Sequence, residues 1–319
     1  MDKHLLTEIE IKDFKCFKDF KADGFKRVNL IGGKNNVGKT AFLEACYVNA
    51  SAKNIKSYVG SLRAIKVMRE NLNILSGDKV DIKKYIEQSK NIFIKSNINL
   101  ASFSIKDENG IKQYSFEFNK QHIKVNINDF SYEIDYIDNI EFIDNFGFSN
   151  GEIITSFSAI QKKDEELFLN TILNKFDERI TAFKIIDEKP QCKIGNEYLE
   201  VTEFGDGVRH LVSIVTALYS AENGYLFIDE IDNGIHYTQL DEIWKIILEV
   251  SKKSNVQVFA TTHSKECIES YARVAKRIED KDISYIKMSR LENGSIKAGV
   301  RDYEMLQDSM DDEHEVRGW

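Results

Sequence analysis

Eight residues near the start of the chain have the types and spacing to hold phosphate groups. Gly33 to Thr40 reads G-K-N-N-V-G-K-T and fits the pattern G-x-x-x-x-G-K-[ST]. Glycines at these positions let successive backbone N–H groups point into one concavity that binds anions. Lys39 would reach the β- and γ-phosphates of a nucleotide, and the Thr40 hydroxyl would bind Mg²⁺. The pattern therefore predicts a nucleotide-binding loop.

Such a loop needs a buried strand before it and a helix after it, and the sequence predicts both. Arg27 to Ile31 is a short β-prone run, and the segment from Thr40 is helix-prone to about Asn49. The N-terminus of that helix adds the positive end of its dipole to the same anion site. A plain glycine turn between a strand and a helix is the alternative interpretation.

Two adjacent carboxylates form a second group of candidate residues. Asp229 and Glu230 follow Tyr225 to Ile228, four bulky apolar residues that predict a parallel strand buried on both faces. Ligands bind at the carboxyl ends of such strands. Asp229 would bind Mg²⁺ through its water shell, and Glu230 would polarise the attacking water.

Two further segments belong to the same predicted site. Asn255 to Ala260 predicts a strand that ends in Thr261-Thr262-His263-Ser264, which places His263 where it could hydrogen-bond a γ-phosphate. Phe204 to His210 is a glycine-rich turn that leads into an apolar helix. The start of that helix is a second anion-binding terminus.

The rest of the chain is read from its hydrophobic periodicity. Residues 5–20 predict a strand or hairpin, and three alternating runs between Asn97 and Ile127, with a turn at Asn109-Gly110, predict a small antiparallel unit. This unit is either an insertion or an arm of the main sheet. Residues 163–176 carry an apolar helical stripe that predicts core or lid packing, and Ile180 to Ile186 predicts a strand. Residues 128–160 give no clear pattern.

Residues 51–95 read as helical and basic. Ten basic side chains there face four acidic ones, which leaves a local charge of +6; the basic residues are Lys53, Lys56, Arg63, Lys66, Arg69, Lys79, Lys83, Lys84, Lys90 and Lys95. A solvated helical face and a surface for a phosphate backbone or a protein partner both remain open. No aromatic platform for stacking of single-stranded bases is interleaved with these basic residues, which weakens the nucleic-acid interpretation.

Composition limits the class of protein. The net charge of −8 over 319 residues argues against wholesale coating of nucleic acid. No apolar run approaches the roughly 20 residues that span a bilayer, and the N-terminus lacks a signal-peptide pattern. The four cysteines are widely separated, which favours a reducing compartment. We therefore expect a cytoplasmic protein that does not interact with a membrane.

Taken together, the motifs resemble the ABC-type ATPase head of the RecF-like and overcoming-lysogenization-defect-like branch, also called AAA15 ATPases. The resemblance rests on G-K-N-N-V-G-K-T, F-G-D-G-V-R-H, and F-I-D-E-I-D-N-G-I-H-Y followed by T-T-H-S. The opening I-E-I-K-D-F-K-C-F and the closing hairpin from Ile283 to Lys297 are also typical of it. The implied fold is α/β, a P-loop head with a mixed central sheet flanked by helices. Residues 1–50 and 195–319 would form the head, and 51–194 a helical, basic and β-hairpin insertion.

The resemblance also implies roles for individual residues. Lys39, Glu230 and His263 would be catalytic, and Thr40, Asp229 and a glutamine would hold Mg²⁺. The last role falls to Gln161, the best available match. Phe204 to Val208 would form the signature and Asp232 to His236 the D-loop. The residues that would contact ATP are Lys15, Gly33, Lys34, Asn35, Asn36, Val37, Gly38, Lys39, Thr40, Ala41, Gly205, Asp206 and Gly207. Gly205 stands where many such heads have a serine, so backbone N–H groups would make the contact across the dimer.

The implied function is an ATP-driven switch. Two ATP molecules would be sandwiched between two copies of the chain, in a homodimer or a higher homo-oligomer, and the closed state would control a partner. Too few residues follow the closing hairpin for another domain, so we expect a separate effector, a Toprim-like nuclease or a toxin, in bacterial anti-phage defence. The alternatives are a RecF- or SMC-like ATPase that binds DNA, and a nucleotide-dependent scaffold that does not hydrolyse ATP.

Overall fold

The computed structural model describes residues 5–75, 91–108, 111–126 and 139–311. The chain divides into two compact units. Unit 1 comprises Met1–Phe25, Lys34–Asp138 and Lys287–Val300, and unit 2 comprises Lys26–Gly33, Asn139–Ile286 and Arg301–Trp319. Among the described residues, no helix is both long and apolar enough to cross a membrane.

Unit 1 contains a six-stranded antiparallel sheet in the order β2-β1-β4-β5-β6-β7. Its strands are β1 (Glu8–Phe14), β2 (Phe17–Asp23), β4 (Asn91–Ser96), β5 (Leu100–Glu108), β6 (Ile111–Phe118) and β7 (Gln121–Asn126). The predicted N-terminal hairpin is confirmed: β1 pairs antiparallel with β2, and Ile9 and Ile11 are buried on one face. The predicted antiparallel strands are also confirmed, and β4 joins them to β1 in the same sheet.

The prediction that residues 51–95 are helical throughout is wrong at its C-terminal end. Helix α2 (Ile55–Leu75) is followed by β4, in which Ile92 and Ile94 are buried while Lys95 is exposed. The alternating side chains let β4 pair with β1. Cross-strand packing therefore gives this segment a β conformation in spite of its basic composition. Lys79, Lys83, Lys84 and Lys90 of the basic stretch, and the predicted turn at Asn109-Gly110, lie outside the described residues.

Helix α1 (Lys39–Ser51) is the buried helix of unit 1 and begins at the phosphate-loop lysine, close to the predicted start. Most of its side chains are buried, on every face of the helix. Phe42 is fully buried, with its ring 5.7 Å from that of Phe20 and 5.9 Å from that of Phe25. Burial of one such ring stabilises the fold by about 2–3 kcal/mol. The phosphate loop is therefore followed by a firmly packed helix.

Unit 2 is built on four parallel strands. They are β3 (Val28–Gly32), β8 (Ile140–Ile143), β12 (Tyr225–Ile228) and β13 (Gln257–Thr261), arranged in the order β3-β13-β12-β8. Every residue of β3, β12 and β13 is buried. The three predicted strands are confirmed, and β12 is buried on both faces as predicted. Beside β3 lies β14 (Ile283–Arg290), whose C-terminal half belongs to unit 1 and pairs there with β15 (Ile296–Asp302).

Six α-helices and a small sheet complete the part of unit 2 that the structure describes. The helices are α3 (Asn150–Gln161), α4 (Glu166–Phe176), α5 (Asp206–Ser220), α6 (Leu240–Lys253), α7 (Lys265–Arg277) and α8 (Tyr303–Asp311); the small sheet is β9 (Ile180–Ile186), β10 (Lys189–Ile194) and β11 (Glu197–Glu200). In α4 the buried face is formed by Leu169, Ile172 and Leu173, whereas Leu167 of the predicted stripe is 77% exposed. The acidic tail beyond residue 311 lies outside the described residues.

Candidate functional site

The phosphate loop of unit 1 has the backbone geometry of an anion cradle. Asn36 and Gly38 both have left-handed φ angles, 61° and 93°. A Cβ at Gly38 would lie 2.7 Å from the Cys16 sulfur, so no larger residue fits there. Because Gly38 is the N-cap of α1, no side chain caps this helix start. The backbone N–H groups of such a helix start are suited to bind phosphate.

Lysine and arginine side chains hold the loop in this shape. The Lys39 ammonium donates to the Lys34 carbonyl oxygen at 2.9 Å, and its side chain is almost fully buried. Arg290 donates to the Asn36 carbonyl oxygen at 3.1 Å from the C-terminal hairpin. Lys15, which we expected to contact the nucleotide, forms an ion pair with the buried Glu44 of α1. Lys39 and Lys15 therefore both belong to unit 1, together with the loop.

The predicted carboxylates of unit 2 lie at the carboxyl ends of the parallel strands. Asp229 and Glu230 follow β12 directly, and Thr261 ends the neighbouring β13. The Thr261 hydroxyl donates to Asp229 Oδ1 at 2.7 Å and accepts from the Glu230 backbone N–H at 2.8 Å. Strand β3 ends at the same edge, where the Thr262 N–H donates to the Ile31 carbonyl at 3.0 Å. Gly33, the first residue of the phosphate motif, therefore leaves from this edge.

Glu230 and His263 face each other. His263 Nε2 lies 3.3 Å from Glu230 Oε1, and both side chains are about 40% exposed (38% and 41%). Glu230 has a φ of 55°, a left-handed conformation that costs a non-glycine residue roughly 1 kcal/mol. Backbone strain of this kind is concentrated at functional sites. This geometry suits a Glu230 carboxylate that accepts a proton from water and a His263 ring that contacts the carboxylate.

The segments predicted to be the signature and the D-loop are in direct contact within unit 2. Gly205, with a φ of 78°, precedes α5, and Asp206 and Gly207 form its first turn. A Cβ at Gly207 would lie 2.5 Å from the Gly234 carbonyl oxygen, and one at Gly234 would lie 2.9 Å from Asp206 Cβ. Only glycines allow the two backbones to approach this closely. The signature and the D-loop are therefore packed against each other.

Gln161 does not lie at this edge. It ends α3, whose first turn is close to the signature helix: the Arg209 guanidinium donates to the carbonyl oxygen of Phe148, just before α3. A helix of this length extends about 18 Å. At its far end Lys163 pairs with Glu222, beyond the C-terminus of α5. Gln161 is therefore at the end where the strands begin, and the geometry does not support it as a magnesium ligand.

Asp144 is the side chain at this edge that the sequence pattern does not reveal. It follows β8 as Asp229 follows β12, and the Asp229 N–H donates to the Ile143 carbonyl at 2.8 Å. Burial raises the pKa of Asp144, and the nearby charges of Glu152 and Asp229 act in the same direction. Residues 128–160 show no regular period, so only the pairing of β8 with β12 identifies it.

His210 is a buried histidine on the signature helix. It is 2% exposed, and its Nε2 has no hydrogen-bond partner among the described residues. Burial lowers the pKa of His210 to about 4, against a smaller opposing effect from the Ile231 backbone. The ring is therefore neutral at physiological pH and packs between the signature helix and the segment that starts the D-loop.

Comparisons with solved structures identify the fold. The chain is similar to an Smc head bound to the C-winged helix domain of ScpA, with a TM-score of 0.57 and 13% identity over 95% of this chain and 99% of that one. It is also similar to an Smc head with an extended coiled coil derived from Pyrococcus furiosus, with a TM-score of 0.53 and 11% identity over 97% and 99%. The fold is an ABC-type ATPase head, as the motifs imply.

Sequence comparisons identify the family. The AAA ATPase domain model of the AAA_15 family matches residues 108–268, half of the chain, and the chain belongs to this family of ATPases. A Helicobacter pylori "ATP/GTP phosphatase" is 25% identical over 88% of this chain and 90% of its own length. The DNA replication and repair protein RecF of Nitrosococcus oceani is 31% identical over 71 residues, 22% of this chain and 19% of RecF.

Proposed function

We propose that the chain is an ATP-hydrolysing switch that closes into a dimer. The observation that carries the proposal is the Asp229–Glu230–His263 group, held by Thr261 at the edge from which the phosphate loop departs. In an ATPase family, this group supplies a metal carboxylate, a general base and a γ-phosphate contact. Lys39 and the helix start at Gly38 would bind the phosphates.

Mg²⁺ fits the donor set. Proteins hold this ion through one or two carboxylates and the substrate phosphates, not through an all-protein cage. The described residues contain no group of three or more His, Cys, Asp or Glu that could form such a cage, whereas Asp229 offers one oriented carboxylate. Asp229 would hold the ion, which would neutralise charge on the phosphates.

Glu230 provides the sharpest test of hydrolysis. We expect Glu230→Gln to lower phosphate release by about 100-fold or more, because a general base is lost while nucleotide binding is retained. We expect Lys39→Ala to abolish nucleotide binding. Glu269→Gln, a half-buried carboxylate paired with Lys265 on α7, is the control and should leave the rate unchanged. Equal rates in wild type and Glu230→Gln would contradict the proposal, and steady release by wild type would exclude a scaffold that does not hydrolyse ATP.

Two exposed aromatic side chains support dimer formation through the D-loop. Phe146 and Tyr237 are each 63% exposed. Phe146 follows Asn145, whose carbonyl accepts from the D-loop Asn233, and the Tyr237 ring lies 4.4 Å from that of His236 at an interplanar angle of 38°. Exposed aromatic residues of this kind are typical of interfaces. A second copy docked there would bring its phosphate loop to Gly205–Gly207, which is the composite site that the family resemblance implies.

The dimer is tested by sedimentation velocity of Glu230→Gln with and without ATP. We expect ATP to convert a monomer into a dimer, and Phe146→Ala or Tyr237→Ala to prevent the conversion. Leu167→Ala is the matched control, since Leu167 is 77% exposed but lies away from the D-loop. Its neighbour Glu165 forms an ion pair with Lys253, the last residue of α6. An ATP-independent dimer, or the same loss in Leu167→Ala, would overturn this arrangement.

We further propose that the switch controls a separate effector, a Toprim-like nuclease or a toxin, in anti-phage defence. Support comes from the resemblance to the overcoming-lysogenization-defect-like branch and from the similar Smc head, which was solved with a partner domain. The test is co-expression with the product of a neighbouring gene, followed by pull-down and phage plating. Protection that persists in Lys39→Ala, or partner binding that ignores ATP, would contradict it.

DNA binding is the second candidate function, and the short match to RecF favours it. The described basic residues of the stretch are Lys53, Lys56, Arg63 and Lys95, among others. If the chain acts on DNA, duplex DNA should stimulate phosphate release and bind with strong salt dependence. Unchanged rates and no binding at low salt would exclude this candidate.

A further inference from the structure

Thr261 is the last residue of β13. Its side chain is completely buried. One hydroxyl makes two contacts with consecutive residues of the predicted catalytic segment: it donates to Asp229 Oδ1 at 2.7 Å and accepts from the Glu230 N–H at 2.8 Å. A hydroxyl is the smallest side-chain group that can donate to a carboxylate and accept from an amide at the same time.

We propose that Thr261 is a positioning residue, whose one hydroxyl fixes both the orientation of the Asp229 carboxylate and the conformation of the Glu230 backbone. The proposal rests on the function proposed above. Thr261 fixes the Asp229 carboxylate, which would hold the divalent cation, and through the Glu230 N–H it holds the left-handed turn from which the Glu230 side chain reaches His263. Positioning of this kind acts on the chemical step more than on nucleotide affinity.

The backbone around Thr261 is held independently of its hydroxyl. The Thr261 carbonyl oxygen accepts from the Ile231 N–H at 3.0 Å, and the strand pairs with β12 and β3 on its two sides. Removal of the hydroxyl therefore leaves the strand in place and frees only the two contacts to Asp229 and Glu230. Valine keeps the shape of threonine without the hydroxyl, and serine keeps the hydroxyl without the methyl group.

The next residue offers a matched comparison. Thr262 is also fully buried, and its hydroxyl donates to Asp232 Oδ1 at 2.6 Å and accepts from the Ser264 N–H at 3.0 Å. It therefore makes the same kind of double contact, one residue along the chain, with the D-loop instead of Asp229. Thr262→Val removes an equivalent buried hydroxyl without touching Asp229 or Glu230.

The experiment compares Thr261→Val, Thr261→Ser and Thr262→Val in the full chain. Steady-state phosphate release gives kcat and KM, and titration of a fluorescent non-hydrolysable ATP analogue with and without Mg²⁺ gives the gain in affinity from the cation. We expect Thr261→Val to lower kcat about 10- to 100-fold with KM changed less than about threefold. The Mg²⁺-dependent gain in analogue affinity should fall as well.

The two comparison variants separate positioning from general damage. Thr261→Ser should keep kcat within about threefold of wild type, because the hydroxyl is retained. Thr262→Val should keep the Mg²⁺-dependent gain, and thermal denaturation shows whether each variant is folded. Unchanged kcat and Mg²⁺ response in folded Thr261→Val would overturn the inference, and so would a Thr261→Ser variant as impaired as Thr261→Val.

Failure of the proposed function gives a different result. If the wild type neither releases phosphate nor binds the analogue more tightly with Mg²⁺, the assignment of the site as an ATPase is wrong. If the wild type is active and Thr261→Val matches it, only the role of Thr261 is wrong.

Discussion

At the scale of single residues, the phosphate loop is held by a side chain 254 positions further along the chain. Arg290 donates one guanidinium nitrogen to the Asn36 carbonyl and another to the Gly294 carbonyl of its own hairpin turn, at 3.1 and 3.2 Å. Asn36 is one of the two residues of the loop with a left-handed φ among Lys34 to Thr40. The contact therefore supports the part of the loop that is conformationally strained.

We predict that Arg290→Ala raises KM for ATP about 3- to 10-fold with kcat nearly unchanged, since one hydrogen bond contributes about 0.5–1.5 kcal/mol. Arg290→Lys, which keeps a single donor, should recover part of the loss. The control is Arg179→Ala, because Arg179 is 70% exposed and bonds only its neighbour Asp177 among the contacts described for it. A fall in kcat without a change in KM would show that Arg290 acts in another way. Steady-state kinetics with ATP distinguishes these results.

The residues of the site differ in how far the sequence predicts them. Lys39, Asp229 and His263 each follow a strand with a local apolar pattern, and local patterns are visible in one sequence. Asp144 and Thr261 are brought to this edge by strand pairing, which joins residues far apart in the chain. Gln161 matches a position in the motif order, but the length of α3 carries it away from the edge. Spatial neighbours of this kind cannot be read from spacing alone.

At the scale of elements, the start of α5 is fitted to the D-loop by two glycines. The Gly207 position has an ordinary helical φ, so backbone strain does not require glycine there. The requirement is steric: a Cβ would lie 2.5 Å from the Gly234 carbonyl oxygen. Contact between two backbones cannot be relieved by rotation of a side chain, so an added methyl group must separate the helix from the D-loop.

We predict that Gly207→Ala lowers both thermal stability and phosphate release, although alanine favours a helix over glycine by about 1 kcal/mol. Gly151→Ala is the matched control: Gly151 is also the second residue of a helix, α3, and a Cβ there meets nothing within 4 Å. That variant should be as stable as wild type or slightly more stable. Equal Tm values for the two variants would contradict the close approach. Thermal denaturation and the phosphate-release assay together decide it.

The elements also show where sequence patterns are insufficient. β12 is predicted because a strand buried on both faces reads as a continuous apolar run, and β3 and β13 are predicted as β-prone segments. β8 carries Glu141 among its four residues, and β4 lies at the end of the basic stretch, so neither has such a signature. Helix α3 does have a local signal, a capping box between Ser149 and Glu152, at the end of a stretch whose period is irregular.

At the scale of the whole molecule, two buried ionisable groups of unit 2 make the stability of the protein depend on pH in opposite directions. Burial lowers the pKa of His210 to about 4 in the folded protein. Between pH 4 and 6.5 the histidine is therefore protonated in the unfolded chain but not in the folded one, so stability rises with pH in that range. Glu141 has its pKa raised to about 7 by burial, partly offset by the hydroxyl of Ser220. Between pH 4.5 and 7 the folded chain holds that proton, so stability falls as pH rises. The two effects partly cancel over the range they share.

We predict that Glu141→Gln stabilises the protein at pH 8 and has little effect at pH 5. Below pH 4.5 the carboxyl is protonated in both states; above pH 7 it is charged in both, and the buried charge costs at most about 3 kcal/mol. Glutamine removes that charge and still accepts from Ser220, so Tm should rise at pH 8 by several degrees more than at pH 5. Glu117→Gln is the control, because Glu117 also accepts from a serine hydroxyl, that of Ser102, on an exposed strand face. The same gain at both pH values, or an equal gain in Glu117→Gln, would show that burial of the Glu141 charge is not the cause.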